Sequence, residues 1–230
     1  GRGGVGRRGG RGRPGQRPGL GCRRGRRPGR RRLTDPTPVG GTRRVLERLL
    51  REAQRVGAIS ARPVEEVIDH AAQFAAALPT GARRVVDLGS GAGVPGLVVA
   101  VLRPDLHCVL VDRRATRTDA LRRSVLALQI GDRVAVECRD VADLVQDPAW
   151  QGRFDAVMSR GFGPPSQTLR WSRVLVRSGG AVLVSEPPAG TPDRWDRAQV
   201  AALGLRGPER VGGVAVFHVE HPGEGPATAS

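Results

Sequence analysis

A chain of 230 residues has room for one sizeable core and short appendages, and its formal net charge of +16 comes from arginine alone, because no lysine is present. Thirteen of the 38 basic residues fall in residues 1–32, which hold no acid, so the other 25 face all 22 acids and the body of the chain is close to neutral. The longest apolar stretch, VPGLVVAVL, is far short of the roughly 20 residues that span a bilayer. Three cysteines make no disulfide framework, and four scattered histidines lack metal-ligand spacing, so a membrane protein, a disulfide scaffold and a metal centre are all excluded as readings.

Residues 1–38, rich in glycine, proline and arginine, have almost nothing to bury and are expected to be a disordered tail. Such an arm attracts RNA phosphate through charge. GC-rich coding would give the same composition, and with Gly1 first and Met158 the one methionine, Val39 is a candidate start. Residues 39–80 are expected to be helical. Val45, Leu46, Leu49, Leu50, Ala53 and Val56 recur at three- and four-residue spacings behind Thr42, a fitting N-cap, and a second helix opens at Pro63 and runs through VIDHAAQFAAAL.

From residue 81 to 222 strands and helices alternate: RRVVDLG, PGLVVAVL, HCVLVD, TRTDALRRSVLALQ, RVAVEC, DVADL, FDAVMS, SQTLRWSRVLV, GGAVLVSE, RWDRAQVAALGL and VGGVAVFHVEH. Short apolar strands separated by helices predict an α/β fold, a doubly wound and mostly parallel sheet. Residues 223–230 look like a frayed end. Nothing in the apolar pattern demands a second copy, so a monomer is expected.

In such sheets a ligand sits beyond the carboxyl ends of the strands. The loop VVDLGSGAGVPG follows the first strand, and Gly89, Gly91 and Gly93 let a ligand approach the main chain while Pro95 opens a helix. Asp112 ends the next strand, where an acid can accept from two ribose hydroxyls. These features specify a cofactor containing a nucleoside. GAGVPG also fits the dinucleotide fingerprint by spacing, a weak signal by itself, but Asp87 puts an acid where a pyrophosphate would be repelled and suits a cationic amino-acid group better.

DLGSGAG resembles the first motif of class I S-adenosylmethionine-dependent methyltransferases, with a Rossmann-like fold. The pair DLGSGAGVPGLVVAVLRPD and FDAVMSRGF resembles the rRNA small subunit methyltransferase G family, also called glucose-inhibited division protein B, over roughly residues 42–186. That resemblance implies a cytoplasmic enzyme that methylates N7 of a guanine in small-subunit (16S) ribosomal RNA, free or in an assembling subunit, with S-adenosylmethionine as donor. It also implies cofactor contacts at Gly89, Gly91, Val94, Asp112, Val141, Ala142 and Arg160. The family usually has an acid at the position of Ala142, so Asp143 or backbone groups are expected to serve there.

The chain departs from the family before the glycine loop, where AQRVGAISARPVEEVIDH replaces its Trp-Asn and Asn-Leu-Thr signature, and after the second strand, where Thr116 replaces a lysine and Arg117 is kept. It also has VSEPP where many members carry a lysine. Guanine N7 has an in-plane lone pair and needs no base to remove a proton, which agrees with the lack of a Cys-His or Ser-His-Asp arrangement, and no catalytic residue is singled out. Phe162 is expected either to stack on the base or to pack in the fold. Two other functions compete: an RNA-binding protein on a degenerate methyltransferase fold, and a small-molecule methyltransferase.

Overall fold

The computed structural model describes residues 39–187, 191 and 193–220. The expected tail and frayed end lie outside the described residues. α1 (Val39–Arg55) buries Leu46 and Leu50 and starts ahead of Thr42, so that threonine lies inside the helix rather than capping it. α2 (Val64–Ala77) opens behind Pro63, with Glu65 and Glu66 in its first turn, where the helix dipole favours negative charge. Val64, Val67, Ile68, Ala71 and Phe74 form its buried stripe, at the spacing that places side chains on one helical face.

The alternating part then runs β1 (Arg84–Leu88), α3 (Gly96–Leu102), β2 (His107–Asp112), α4 (Ala115–Ala127), β3 (Val134–Cys138), α5 (Val141–Leu144), β4 (Phe154–Ser159), α6 (Pro165–Leu175), β5 (Val176–Ser185), α7 (Arg197–Ala202), β6 (Leu205–Val211) and β7 (Val214–Val219). These strands form one sheet in the order β3-β2-β1-β4-β5-β7-β6. The first five are parallel, and β7 and β6 pair antiparallel at the far side.

Each central strand is apolar on both faces because helices cover both. Val85, Leu110 and Met158 pack with α1 to α4, whereas their neighbours Val86, Val111 and Val157 pack with α5, α6 and α7. Phe74 of α2 is fully buried in the first of these cores, where truncation to alanine typically costs about 3–5 kcal/mol.

The end of the chain differs from the sequence expectation. VGGVAVFHVEH was read as a single strand, but LRGPERV ahead of it forms β6, and the two make a hairpin. β6 is mostly exposed and carries Pro208, as a sheet edge tolerates, so no apolar alternation marked it. Helix α7 is correspondingly shorter than RWDRAQVAALGL, starting where Asp196 accepts from the N–H groups of Ala198 and Gln199.

Candidate functional site

The strand order reverses between β1 and β4, and that is where a doubly wound sheet opens a crevice. Leu88 lies opposite Ser159 in the register of these two strands. Gly89 and Arg160, the next residue in each, therefore leave the sheet side by side.

The turn after β1 is built from the acid inside it. Asp87 is 1% exposed, and its Oδ2 accepts from Ser90 Oγ at 2.7 Å and from the Gly96 N–H at 3.0 Å, so one carboxylate oxygen ties the strand to the start of α3. Only glycine fits at 96, because a Cβ there would lie 2.6 Å from that oxygen and 2.4 Å from Leu110. Gly89 has φ +68°, and a Cβ on it would stand 2.7 Å from the ring of Phe162. The other oxygen, Asp87 Oδ1, is buried with no hydrogen-bond partner among the described residues. Burial pushes the Asp87 carboxyl up to about 7, against the pull of Ser90, Gly96 and the nearby Arg160 guanidinium. A buried acceptor without a donor costs free energy, and an ammonium group would relieve it.

Asp112, at the end of β2, is 4% exposed. Its Oδ2 accepts from the Gly91 N–H at 3.0 Å and its Oδ1 from the Arg114 N–H at 2.9 Å, with Arg117 Nη1 at 3.5 Å. Two backbone donors thus fix the carboxylate, and the remaining lone pairs are available to hydroxyl groups. A cleft of about 540 Å³ opens here, lined by Gly89, Asp112, Asp140, Val141, Ala142 and Phe162 among others.

Of the residues expected at the cofactor, Gly89, Asp112, Val141 and Ala142 line this cleft. Gly91 contributes through its bond to Asp112, and Val94 is buried in the core against α3 and α4 rather than on the cleft wall. Asp143 does not line the cleft. The acid at this wall is Asp140, which caps α5 by accepting from the Ala142 N–H at 3.0 Å and lies 3.7 Å from Arg113. The cap pattern D-V-A-D was the signal that could have found it. Phe162 packs on Gly89 and on Trp171, ring centres 5.7 Å apart, and both rings line the cleft.

Arg160 faces a second cavity, of about 710 Å³, walled by α2, the ends of β4 and β5 and the β6–β7 turn. Its half-buried guanidinium has no hydrogen-bond partner among the described residues, and burial lowers its pKa while Asp87 raises it. Glu186, just past β5, stands in this cavity with its lone pairs committed: Oε1 accepts from Trp195 Nε1 at 2.9 Å and from Arg194, and Oε2 from Arg210 at 2.7 Å. His70 packs edge-on to Phe74, and burial, with help from Arg160 and Arg62, lowers its pKa. Among the described residues no group of three potential ligands could hold a metal ion, and no helix is long and apolar enough to cross a membrane.

A family model described as rRNA small subunit methyltransferase G matches residues 42–186. The chain is 32% identical over 174 residues to the ribosomal RNA small subunit methyltransferase G of Mycolicibacterium gilvum, covering 73% of this chain and 74% of that one. To the protein of that name from Salinispora arenicola it is 37% identical over 135 residues, 57% of this chain and 55% of that one. The chain spans about half the length of several such relatives. Among solved structures, an O-methyltransferase family protein from Burkholderia thailandensis superposes with a TM-score of 0.54 at 22% identity, over 70% of this chain and 57% of that one. A cofactor-bound protein from MTB gives 0.53 at 20% identity, over 77% and 91%. At these identities the solved structures bear on the fold alone.

Proposed function

The chain belongs to the rRNA small subunit methyltransferase G family, and from that premise we propose that it transfers a methyl group from S-adenosylmethionine to N7 of a guanine in small-subunit ribosomal RNA. The observation that carries the cofactor is the pairing of Asp87 and Arg160 at the ends of adjacent strands. Among the described residues, one offers a buried oxygen without a donor and the other a guanidinium without an acceptor. An amino acid carries the complementary pair, ammonium and carboxylate, and a pyrophosphate does not.

When bound, S-adenosylmethionine supplies a methyl group activated on a sulfonium. Asp87 and Arg160 would hold its amino-acid end and Asp112 its ribose hydroxyls, while Asp140, Val141 and Ala142 would flank its base. Phe162, braced by Trp171, packs against the glycine turn. The chain needs no general base, because guanine N7 already presents its lone pair. Its contribution is to hold the base in line with the methyl group, an effect worth up to roughly 7–11 kcal/mol in favourable cases. We further propose a cytoplasmic monomer acting on the RNA free or in an assembling subunit.

The test is calorimetric titration of S-adenosylhomocysteine into the protein, followed by transfer of labelled methyl into small subunits from cells lacking this modification. Binding together with label at a guanine N7 supports the reading. Binding with label at another atom or in no RNA discards the acceptor, and failure of folded protein to bind discards the enzyme.

A further inference from the structure

We infer that the second cavity seats the acceptor guanine, with the Glu66 carboxylate gripping its Watson–Crick edge and the Arg62 guanidinium holding an adjoining phosphate; this rests on the guanine-N7 reading above. Gly161 lines both this cavity and the cofactor cleft. A group seated in the cavity therefore adjoins the cleft proposed for the cofactor. At about 710 Å³ the cavity has the size of a small-ligand site, but its charged lining suits a nucleotide rather than an apolar metabolite.

Of the carboxylates and guanidinium groups lining this cavity, Glu66 and Arg62 stand apart. Glu186 is shared between Arg194 and Arg210. Arg160 is matched to the cofactor. Glu65 turns outward to Arg51 at 3.1 Å, whereas its neighbour Glu66 lines the cavity and has no hydrogen bond or ion pair among the described residues. The Arg62 guanidinium, four residues earlier on the same wall, is equally without a partner among the described residues. Both are exposed, as groups that meet RNA from solvent must be. They lie in AQRVGAISARPVEEVIDH, the stretch whose departure from the family pattern left it without a role.

The base chemistry then decides which edge goes where. Guanine carries two adjacent donors, N1–H and N2–H, which match the two oxygens of one carboxylate, and proteins commonly read unstacked RNA bases on that edge. N7 is on the opposite edge. Gripping the donors from α2 points N7 toward Gly161 and the cofactor, leaving the reacting lone pair uncovered.

Single-turnover methyl transfer into small subunits lacking the modification, at saturating S-adenosylmethionine, tests this with the full chain, Glu66→Gln and Arg62→Ala, each also titrated with S-adenosylhomocysteine. Glu66→Gln should slow transfer by about 30-fold, the loss expected for a charged hydrogen-bond pair, with cofactor affinity within about twofold. Arg62→Ala should raise the half-saturating subunit concentration by about tenfold and leave the maximal rate nearly unchanged. In a second measurement, guanosine monophosphate with S-adenosylhomocysteine present should shift the His70 ring signals. Inosine monophosphate, which lacks the N2 amino group, should bind about tenfold more weakly, and Glu66→Gln should erase that difference. Transfer by Glu66→Gln at the wild-type rate, or equal binding of the two nucleotides, overturns the assignment and leaves the guanine-N7 reading standing. A wild-type protein that binds S-adenosylhomocysteine but methylates no guanine overturns both.

Discussion

The cleft at Asp112 and the second cavity adjoin at Gly161, yet they are built in opposite ways. The cleft is made of short consecutive segments at strand ends, where backbone N–H groups position the acids: Gly96 holds Asp87, and Gly91 and Arg114 hold Asp112. The cavity is walled by side chains from α2, β4, β5 and the β6–β7 turn, segments far apart in the chain. A site fixed by main chain tolerates little change in sequence at its turns. A site fixed by converging side chains can change what it binds while the sheet stays as it is.

The most severe way to break the cleft alone is Gly89→Val. Its Cβ would occupy the place of the Phe162 ring, in a backbone conformation that β-branched residues avoid, so binding of S-adenosylhomocysteine should fall by at least about 100-fold in calorimetry. Glu186→Ala attacks the cavity instead. It strands Trp195 Nε1 and separates Arg194 from Arg210, and because those arginines are partly exposed and can return to water, the cost should be about 2 kcal/mol, or roughly 4–8 °C in Tm.

A pH titration sharpens the contrast. An ammonium group needs Asp87 ionised, whereas burial holds its carboxyl near 7, so cofactor binding should release a proton below that pH. Affinity should therefore rise with pH up to about 7 and level off above it, with a slope approaching one log unit per pH unit on the acid side, and Asp87→Asn should flatten the profile. The same shift works against folding: the native carboxyl keeps its proton where the unfolded one has lost it, so this group's contribution to stability declines as pH rises from about 4 to 7. Arg117→Ala should have the smallest effect, at most about threefold on cofactor affinity, since its pairing with Asp112 is long, partly solvated and secondary to the backbone donors.

The contrast also explains what could be read from the sequence. Asp87, Gly89 and Asp112 were legible because a strand, a bare turn and a second strand ending in an acid must follow one another in order. Asp140 was not legible because the resemblance points to the position of Ala142, while the carboxylate at the cleft wall is the helix cap two residues earlier. Arg160 was expected at the cofactor from the resemblance, but the cavity it faces could not be read locally, since that depends on how α2 folds back over β4 and β5. Glu66 read as an ordinary first-turn acid, and nothing local distinguished it from Glu65. β6 was invisible for a related reason, since a polar edge strand satisfies half its needs with water.

The β6–β7 turn touches α2 directly: the Gly213 N–H donates to Gln73 Oε1 at 2.6 Å, across 140 residues of sequence, and a side chain at Gly212 would collide with that same glutamine. Chains are synthesised from the amino end and fold as they emerge. Every residue lining the cleft at Asp112 precedes position 172, although the strand β4 and helix α6 that carry part of it pack on β5. The cavity beside it gains its last wall only from Arg210, Gly212 and Gly213, so the two neighbouring spaces draw on different lengths of the chain.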